Sequence, residues 1–331
     1  MTTHAVIGTG YWGTNHVRVA AELAADGEID ELLLCDVAEE RVADLADSYG
    51  VDYVTSHAAL ADRGVDSAVV ATPSVTHHDI ATDLLAAGVD LLVEKPLALT
   101  SDNAWAVVEA AREHGRTLGV GHIFRFHPAL NELRRRVERG ELGRLKYLST
   151  NRYAFREPRA ETGALYSLAV HDLDIYTMLL GRRPDTLHCR LDRHLRPEVD
   201  ETASLVLGYE RPDATGVIEE SWQVPAFGKR RDLVAVGTER AAYIDYLADT
   251  ELELFDAKVV REGERLRARD EGSTTYEVEG YEPLKAEVED FLGAAREGRE
   301  PGAPGYVGAE TVELLEHAEA SDRRGETVRL E

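Results

Sequence analysis

Apolar positions in the first ~120 residues fall in short unbroken runs: Ala5-Val6-Ile7, Leu32-Leu33-Leu34, Ala68-Val69-Val70-Ala71, Leu91-Leu92-Val93 and Leu118-Gly119-Val120. Strands buried on both faces read this way, because neither face needs a polar residue. A weaker pair, Tyr53-Val54, marks one more strand. Between the runs, Val42, Leu45, Ala46 and Tyr49 recur at helical spacing, as do Ala104, Val107, Val108 and Ala111. Strands alternating with amphipathic helices predict a parallel sheet covered by helices.

After His122 the pattern changes. Pro128 opens a helix carrying Leu130, Leu133 and Val137, with Gly140 and Gly143 closing it. An alternating stretch from Lys146 to Arg156 predicts a long strand, and a helix follows from about Leu165 to Leu180, stopped by Gly181 and Pro184. Between Asp185 and Val278 there are about eight strand-like runs without intervening helices, which implies a largely antiparallel sheet. Leu284, Val288, Phe291, Leu292 and Ala295 form one face of a late helix. The change of pattern puts a boundary near 121–128, with an α/β domain over 1–122 and an α+β domain with a large, mainly antiparallel open sheet over 123–331.

The first strand runs straight into Gly8-Thr9-Gly10-Tyr11-Trp12-Gly13, and a helix begins at once. This is the G-x-G-x-x-G arrangement in its required strand–turn–helix setting, which marks a dinucleotide-binding Rossmann domain. Gly8 permits the tight turn, Gly10 lets the backbone approach a pyrophosphate, and Gly13 lets the helix pack on the strand. Helix N-terminal N–H groups receive the phosphates. Asp36 ends the second strand, placed to accept both ribose hydroxyls of an adenosine and to repel a 2′-phosphate. NAD is therefore expected, with Arg41 keeping NADP open.

Two further residues carry candidate chemistry. Lys95, in Glu94-Lys95-Pro96 after the fifth strand, is expected at the carboxyl end of the sheet, where ligands bind in such folds. A lysine there can polarise a substrate oxygen; elsewhere it is an ordinary surface residue. His171 lies in a helix, with Ser167, Asp174 and Met178 expected on its face and Leu168, Ile175 and Leu179 on the apolar side. Such a histidine is either a poised proton acceptor or a core residue. No further His or Cys is spaced to complete a metal site, so no metal is expected.

Together these segments resemble the glucose–fructose oxidoreductase/inositol dehydrogenase (Gfo/Idh/MocA) family, through the glycine loop, Ala71-Thr72-Pro73 followed by His77, Glu94-Lys95-Pro96, and His171-Asp172-Leu173-Asp174. The order and spacing match over nearly the whole chain, including Pro283-Leu284-Lys285. The resemblance implies Lys95 and His171 as catalytic residues, with Thr72, Pro73, His77 and Glu94 at the cofactor. Ser167 stands where the family commonly has an aspartate four residues before the histidine, which makes Asp172 or Asp174 the candidates for orienting His171. Gly121 to Pro128 and Asn151-Arg152 look most like the branches acting on nucleotide-activated sugars, including UDP-N-acetylglucosamine 3-dehydrogenases.

The chemistry implied is reversible hydride transfer between a sugar carbinol and nicotinamide, with His171 taking the hydroxyl proton and Lys95 holding the oxygen. Tyr11 and Trp12 would bound the nicotinamide side. Arg125, Arg152, Arg156 and Arg159 are candidate phosphate or uronate contacts or else salt-bridge partners, and Tyr153 joins the substrate set. The alternatives are a free-sugar or inositol dehydrogenase, an NAD-using glycosidase or lyase, and a non-catalytic NAD-binding sensor.

Composition narrows the setting. The 331 residues include 62 acids and 37 bases, a net charge of −25 that argues against nucleic-acid partners. There is no apolar run near 18 residues and no signal-peptide pattern after Met1, so a cytoplasmic protein without membrane contact is expected. Cys35 and Cys189 lie far apart, without disulfide-framework or metal spacing. Only five of the bases are lysine, and this acid-rich, lysine-poor balance suits concentrated salt, so a salt-loving source is expected. A homo-oligomer, dimer or tetramer, is expected through the open sheet.

Overall fold

The computed structural model describes residues 2–158, 162–211, 213–226, 228–248 and 250–330. Its elements begin β1 Thr3–Ile7, α1 Gly13–Ala25, β2 Glu31–Cys35, α2 Glu39–Tyr49, β3 Asp52–Val54, α3 Ala58–Asp62, β4 Ser67–Val70, α4 His77–Ala86, β5 Asp90–Val93, α5 Ser101–Glu113 and β6 Leu118–Val120. They continue α6 Pro128–Glu138, β7 Leu145–Tyr153, α7 Val170–Leu180, β8 Thr186–Asp192, β9 Thr202–Glu210, β10 Asp213–Ser221, β11 Arg230–Gly237, β12 Ala241–Asp245, β13 Glu251–Glu262 and β14 Arg265–Glu277. The chain closes with α8 Pro283–Glu297, α9 Gly305–Arg324 and β15 Val328–Arg329.

Two compact units result: Met1–Ile123 with Glu282–Glu313, and Phe124–Tyr281 with Leu314–Glu331. The expectation of one continuous second domain over 123–331 is therefore corrected. The apolar face of α8 is the reason, because Leu284, Val288, Phe291 and Leu292 join the core formed by Val17, Leu23, Leu34 and Leu92 of the first unit. The backbone after α8 also adds to that unit, with Val120 N donating to Ala303 O at 2.9 Å.

In the first unit the parallel sheet has the order β3-β2-β1-β4-β5-β6. The chain reverses its direction of winding after β3, so β1 and β4 are neighbours and their carboxyl ends flank the crevice where such sheets bind nucleotides.

The second unit is built on a nine-stranded sheet, β14-β13-β12-β11-β7-β10-β9-β8-β15. All its pairings are antiparallel except β7 with β10, so the sheet is mixed but mainly antiparallel. Seven strands, rather than about eight, lie between Asp185 and Val278 among the described residues. Leu148, Leu173, Tyr176, Leu205, Ile218 and Leu233 lie in its core.

The helix expected from Leu165 to Leu180 is interrupted. Leu165–Ala169 forms a π turn and the α-helix starts only at Val170. The wider turn shifts the phase ahead of His171: Ser167 is buried, while Leu168, expected on the apolar side, is half-exposed. Gly181, at φ +68, ends the helix as expected.

Candidate active site

The glycine loop of the first unit fits a pyrophosphate by a steric test. A Cβ on Gly8, at φ +90, would lie 2.7 Å from Ala71 O, and one on Gly13 would lie 1.8 Å from Gly8 O. One on Gly10 would meet nothing within 4 Å. Two glycines thus let the turn, β4 and α1 close together, and the third leaves open space beside the backbone, the opening a diphosphate requires.

Asp36 lies at the end of β2, with its side chain only 4% exposed. Its Oδ2 accepts from Thr9 N at 2.7 Å and Thr9 Oγ1 at 2.9 Å, and Oδ1 accepts from Ala38 N at 2.9 Å. Arg41 Nη2 bridges both oxygens at 2.7 and 2.8 Å. Burial pushes the carboxyl upward, but Arg41 and the backbone donors outweigh it and hold the pKa at about 2. A groove of about 730 Å³ beside it is lined by Thr9, Thr14, Ala38, Glu39, Glu40, Arg41, Asp44, Leu45 and Ser48. Its three acids, added to Asp36, oppose a 2′-phosphate, and the single cation is already paired.

Glu94 organises the other side of the loop. Its Oε1 accepts from the Trp12 indole N–H and faces His16 Nε2 at 2.8 Å, while Oε2 accepts from Lys95 N at 3.2 Å. Burial opposes its charge, yet His16, Lys95 and Trp12 together draw its pKa below the ordinary value. Gly121 is required here, since a Cβ would come within 2.9 Å of the Glu94 carboxylate. His16 was missed in the sequence; its signal was a histidine within the buried stripe Val17, Ala20 and Leu23 of α1.

Lys95 is half-buried and joined to Pro96 by a cis peptide bond. Thr72 and Pro73 lie in the turn after β4, with Thr72 Oγ1 accepting from Thr76 Oγ1 at 2.8 Å. His77 is corrected from a cofactor contact to a tie between loops. Its ring is buried, and its two nitrogens lie 2.9 Å from Pro96 O and Thr72 O. Burial lowers its pKa, against the pull of those two carbonyls. Tyr11 and Trp12 are 87% and 38% exposed, so the loop presents aromatic surface.

The second unit carries His171, half-buried at the start of α7, its ring 5.0 Å from that of Phe124 at an interplanar angle of 67°. Asp172, a candidate for orienting His171, has a wholly buried carboxylate that accepts from Arg152 Nε at 2.5 Å and Nη2 at 3.1 Å. Arg152 is corrected as a substrate contact, because this pairing buries it to 2% exposure. Asp174 and Arg125 form a second pair, with Arg125 Nε at 2.8 and 3.0 Å from the carboxylate oxygens and Nη2 at 2.7 Å.

Tyr153 is also corrected. Successive side chains of a strand point to opposite faces, and Arg152 of β7 points toward α7. Tyr153 instead shares the other face with Asn151 and Glu219, donating to Asn151 Oδ1 at 2.9 Å. Arg156 is exposed, and Arg159 lies outside the described residues. Ser167 faces Thr162 Oγ1 at 2.8 Å. Glu220, a second missed residue, lies wholly buried next to this pair. Its signal was a charge in the buried register of β10, after Ala214, Gly216 and Ile218.

Comparison with known proteins identifies both parts of the chain. The model of the oxidoreductase family with an NAD-binding Rossmann fold, GFO/IDH/MocA, matches residues 2–122, and that of the GFO/IDH/MocA C-terminal domain matches 130–243. The chain belongs to the GFO/IDH/MocA family.

It is 35% identical over 221 residues to inositol 2-dehydrogenase 2 of Saccharopolyspora erythraea, a match spanning 62% of each chain. It is 26% identical to the scyllo-inositol 2-dehydrogenase (NAD(+)) of Bacillus subtilis, over 99% of this chain and 96% of that one. The solved UDP-N-acetylglucosamine 3-dehydrogenase of Acidithiobacillus ferrooxidans superposes with a TM-score of 0.82 at 25% identity, covering 96% of both chains. The GFO/IDH/MocA chain is accordingly an NAD-dependent oxidoreductase, and its first unit is the NAD-binding domain. Among the described residues, no cluster of His, Cys, Asp and Glu is placed to hold a metal, and no helix is long and apolar enough to cross a membrane.

Proposed function

We propose that this protein is an NAD-dependent dehydrogenase oxidising a hydroxyl of a sugar or polyol, with a neutral polyol or free sugar favoured. The observation that carries this reading is the glycine loop with Asp36 at the end of β2, within a chain whose inositol-dehydrogenase relative matches over nearly its full length. When bound, NAD supplies the hydride-accepting ring. His171 takes the hydroxyl proton as the carbon–hydrogen bond breaks, leaving a carbonyl product and NADH. Lys95 polarises the same oxygen, stabilising negative charge as it develops.

Neutral substrates are favoured because two of the four arginines that suggested phosphate recognition are otherwise engaged. Arg152 is buried on Asp172, Arg125 is held by Asp174, and Tyr153 lies on the far face of the sheet. A UDP-N-acetylglucosamine-type 3-dehydrogenase is the second reading, favoured by the likeness to the Acidithiobacillus enzyme over 96% of both chains.

The test is a cofactor-reduction screen with free sugars, inositols and UDP-sugars, each with NAD and NADP, in high salt. NADH formation with an inositol or free sugar supports the main reading, and NADH formation only with UDP-sugars selects the second. Glycoside cleavage without net NADH would make it an NAD-using glycosidase or lyase. Tight NAD binding with no turnover on the whole panel would make it a sensor. A homo-oligomer, a cytoplasmic location and a salt-loving source belong to the same reading, supported by family membership and by the acidic, lysine-poor composition.

A further inference from the structure

One buried cation reaches His171 by two routes. Through hydrogen bonds, Arg152 grips Asp172, which follows His171 directly in the first turn of α7. Through its face, the same guanidinium lies 4.2 Å above the Phe124 ring, and Phe124 meets the His171 ring at 5.0 Å. Tyr246 closes the group, its ring 5.0 Å from both the guanidinium and Phe124. One side chain thus touches both the backbone neighbour and the ring neighbour of His171.

The strand register explains why the position is charged. Arg152 of β7 pairs with Glu220 of β10 on one side and Arg231 of β11 on the other. Two arginines directly opposite repel unless carboxylates compensate. Asp172 does so, whereas Glu220 sits with its nearest oxygen 3.8 Å from Arg152 Nε. Burial, and then Asp172 beside it, push the Glu220 carboxyl well above its usual range. A buried ion pair seldom outperforms a packed apolar pair in stability alone. Geometry is what this one supplies, because a planar fork can bind a carboxylate and stack on a ring together.

We propose that Arg152, through Asp172 and Phe124, is the positioning residue of His171. The proposal rests on the reading of His171 as the proton acceptor, but it is testable without turnover. Histidine ring signals of the full-length chain are followed by NMR against pH, with His171 assigned from His171→Gln. Asp172→Asn removes a negative charge one residue from His171 and should lower the His171 midpoint by about one pH unit. Arg152→Gln removes the compensating positive charge and should raise it by a similar amount. Arg125, His127, Asp174, Tyr176, Glu220, Arg231 and Tyr246, the other titratable groups around this turn, stay in place in both variants.

Arg152→Lys keeps the charge but not the fork, so it should restore the midpoint while leaving the ring signal broadened. If Arg152→Gln fails to fold, the double variant Arg152→Met/Asp172→Leu replaces the pair with apolar packing. A wild-type midpoint in folded Asp172→Asn or Arg152→Gln would overturn the proposal, as would a wild-type ring line shape in the double variant, where the two charge effects cancel. Its failure is distinct from failure of the functional reading, which would show as sugar-dependent NADH formation persisting in His171→Gln.

Discussion

Asp36 and Arg41 form a two-pronged ion pair at the end of β2, with Arg41 Nη2 at 2.7 and 2.8 Å from the two carboxylate oxygens. The carboxylate read as the ribose acceptor is thus preoccupied by the one cation lining the adjacent groove. Asp36→Ala should weaken NADH binding by about 10- to 100-fold, the worth of hydrogen bonds to a charged group. It should also leave Arg41 unpaired and narrow the preference over NADPH. Fluorescence titration with both nucleotides checks this, and an unchanged NADH affinity would remove Asp36 from the cofactor site.

Glu94 gathers the Trp12 indole, His16 and the Lys95 backbone onto one buried carboxylate. Glu94→Ala leaves those donors without an acceptor, and about 3 kcal/mol or more of stability should be lost. Its folded pKa lies below the ordinary 4.5, so its stabilising contribution is present above that value and disappears as pH falls through the folded pKa. Thermal melts of wild type and Glu94→Ala should therefore converge toward acid pH.

Glu220 has the opposite sign. Its pKa is raised in the folded chain, so folding binds a proton once the unfolded group ionises above pH 4.5. Stability is lost as pH rises from there toward the folded value. Glu220→Gln carries no ionisable proton, so its stability relative to wild type should climb with pH across that window. Parallel denaturation curves at several pH values decide the matter; a constant difference would mean Glu220 is ionised in the fold.

Lys95→Ala should lower kcat by about 100-fold or more, the usual scale for a group acting on the reacting oxygen. NADH affinity should stay within a few-fold, since the carboxylate of the preceding Glu94 and the glycine loop remain in place. Steady-state kinetics and nucleotide titration on the same preparation separate the two effects.

A net charge of −25 with five lysines predicts a melting temperature that climbs with added potassium chloride up to about 1 M, where repulsion is screened within a few ångströms. A melting temperature indifferent to salt would count against the salt-loving reading.

The first unit was legible to a high degree, because its signals are local. Apolar runs, the glycine loop and the acid ending β2 each depend on residues near in sequence, and a parallel sheet built from them has few alternatives. The boundary was less legible. Leu284, Val288, Phe291 and Leu292 announce an amphipathic helix, but an apolar stripe does not say which core it joins, and here it joins the first unit.

Side-chain roles around His171 were legible only in part. Arg152 and Tyr153 are neighbours in sequence and opposites in space, because the pleat sends them to different faces of the sheet. Glu220 and His16 did leave a trace, each a polar residue in a buried register, but nothing in that trace names its partner.

By itself, the sequence determined the two-part architecture, the dinucleotide loop with Asp36, and the candidacy of Lys95 and His171. Those follow from local periodicity and from residue types at fixed spacing. Only the tertiary structure decided which charges neutralise one another: Asp36 with Arg41, Asp174 with Arg125, and Asp172 with Arg152. Pairing in the last two joins residues 49 and 20 positions apart, and the register of strands and one π turn settle it. Charge is written in the residue, but whether it meets substrate or another side chain depends on what the fold places opposite it.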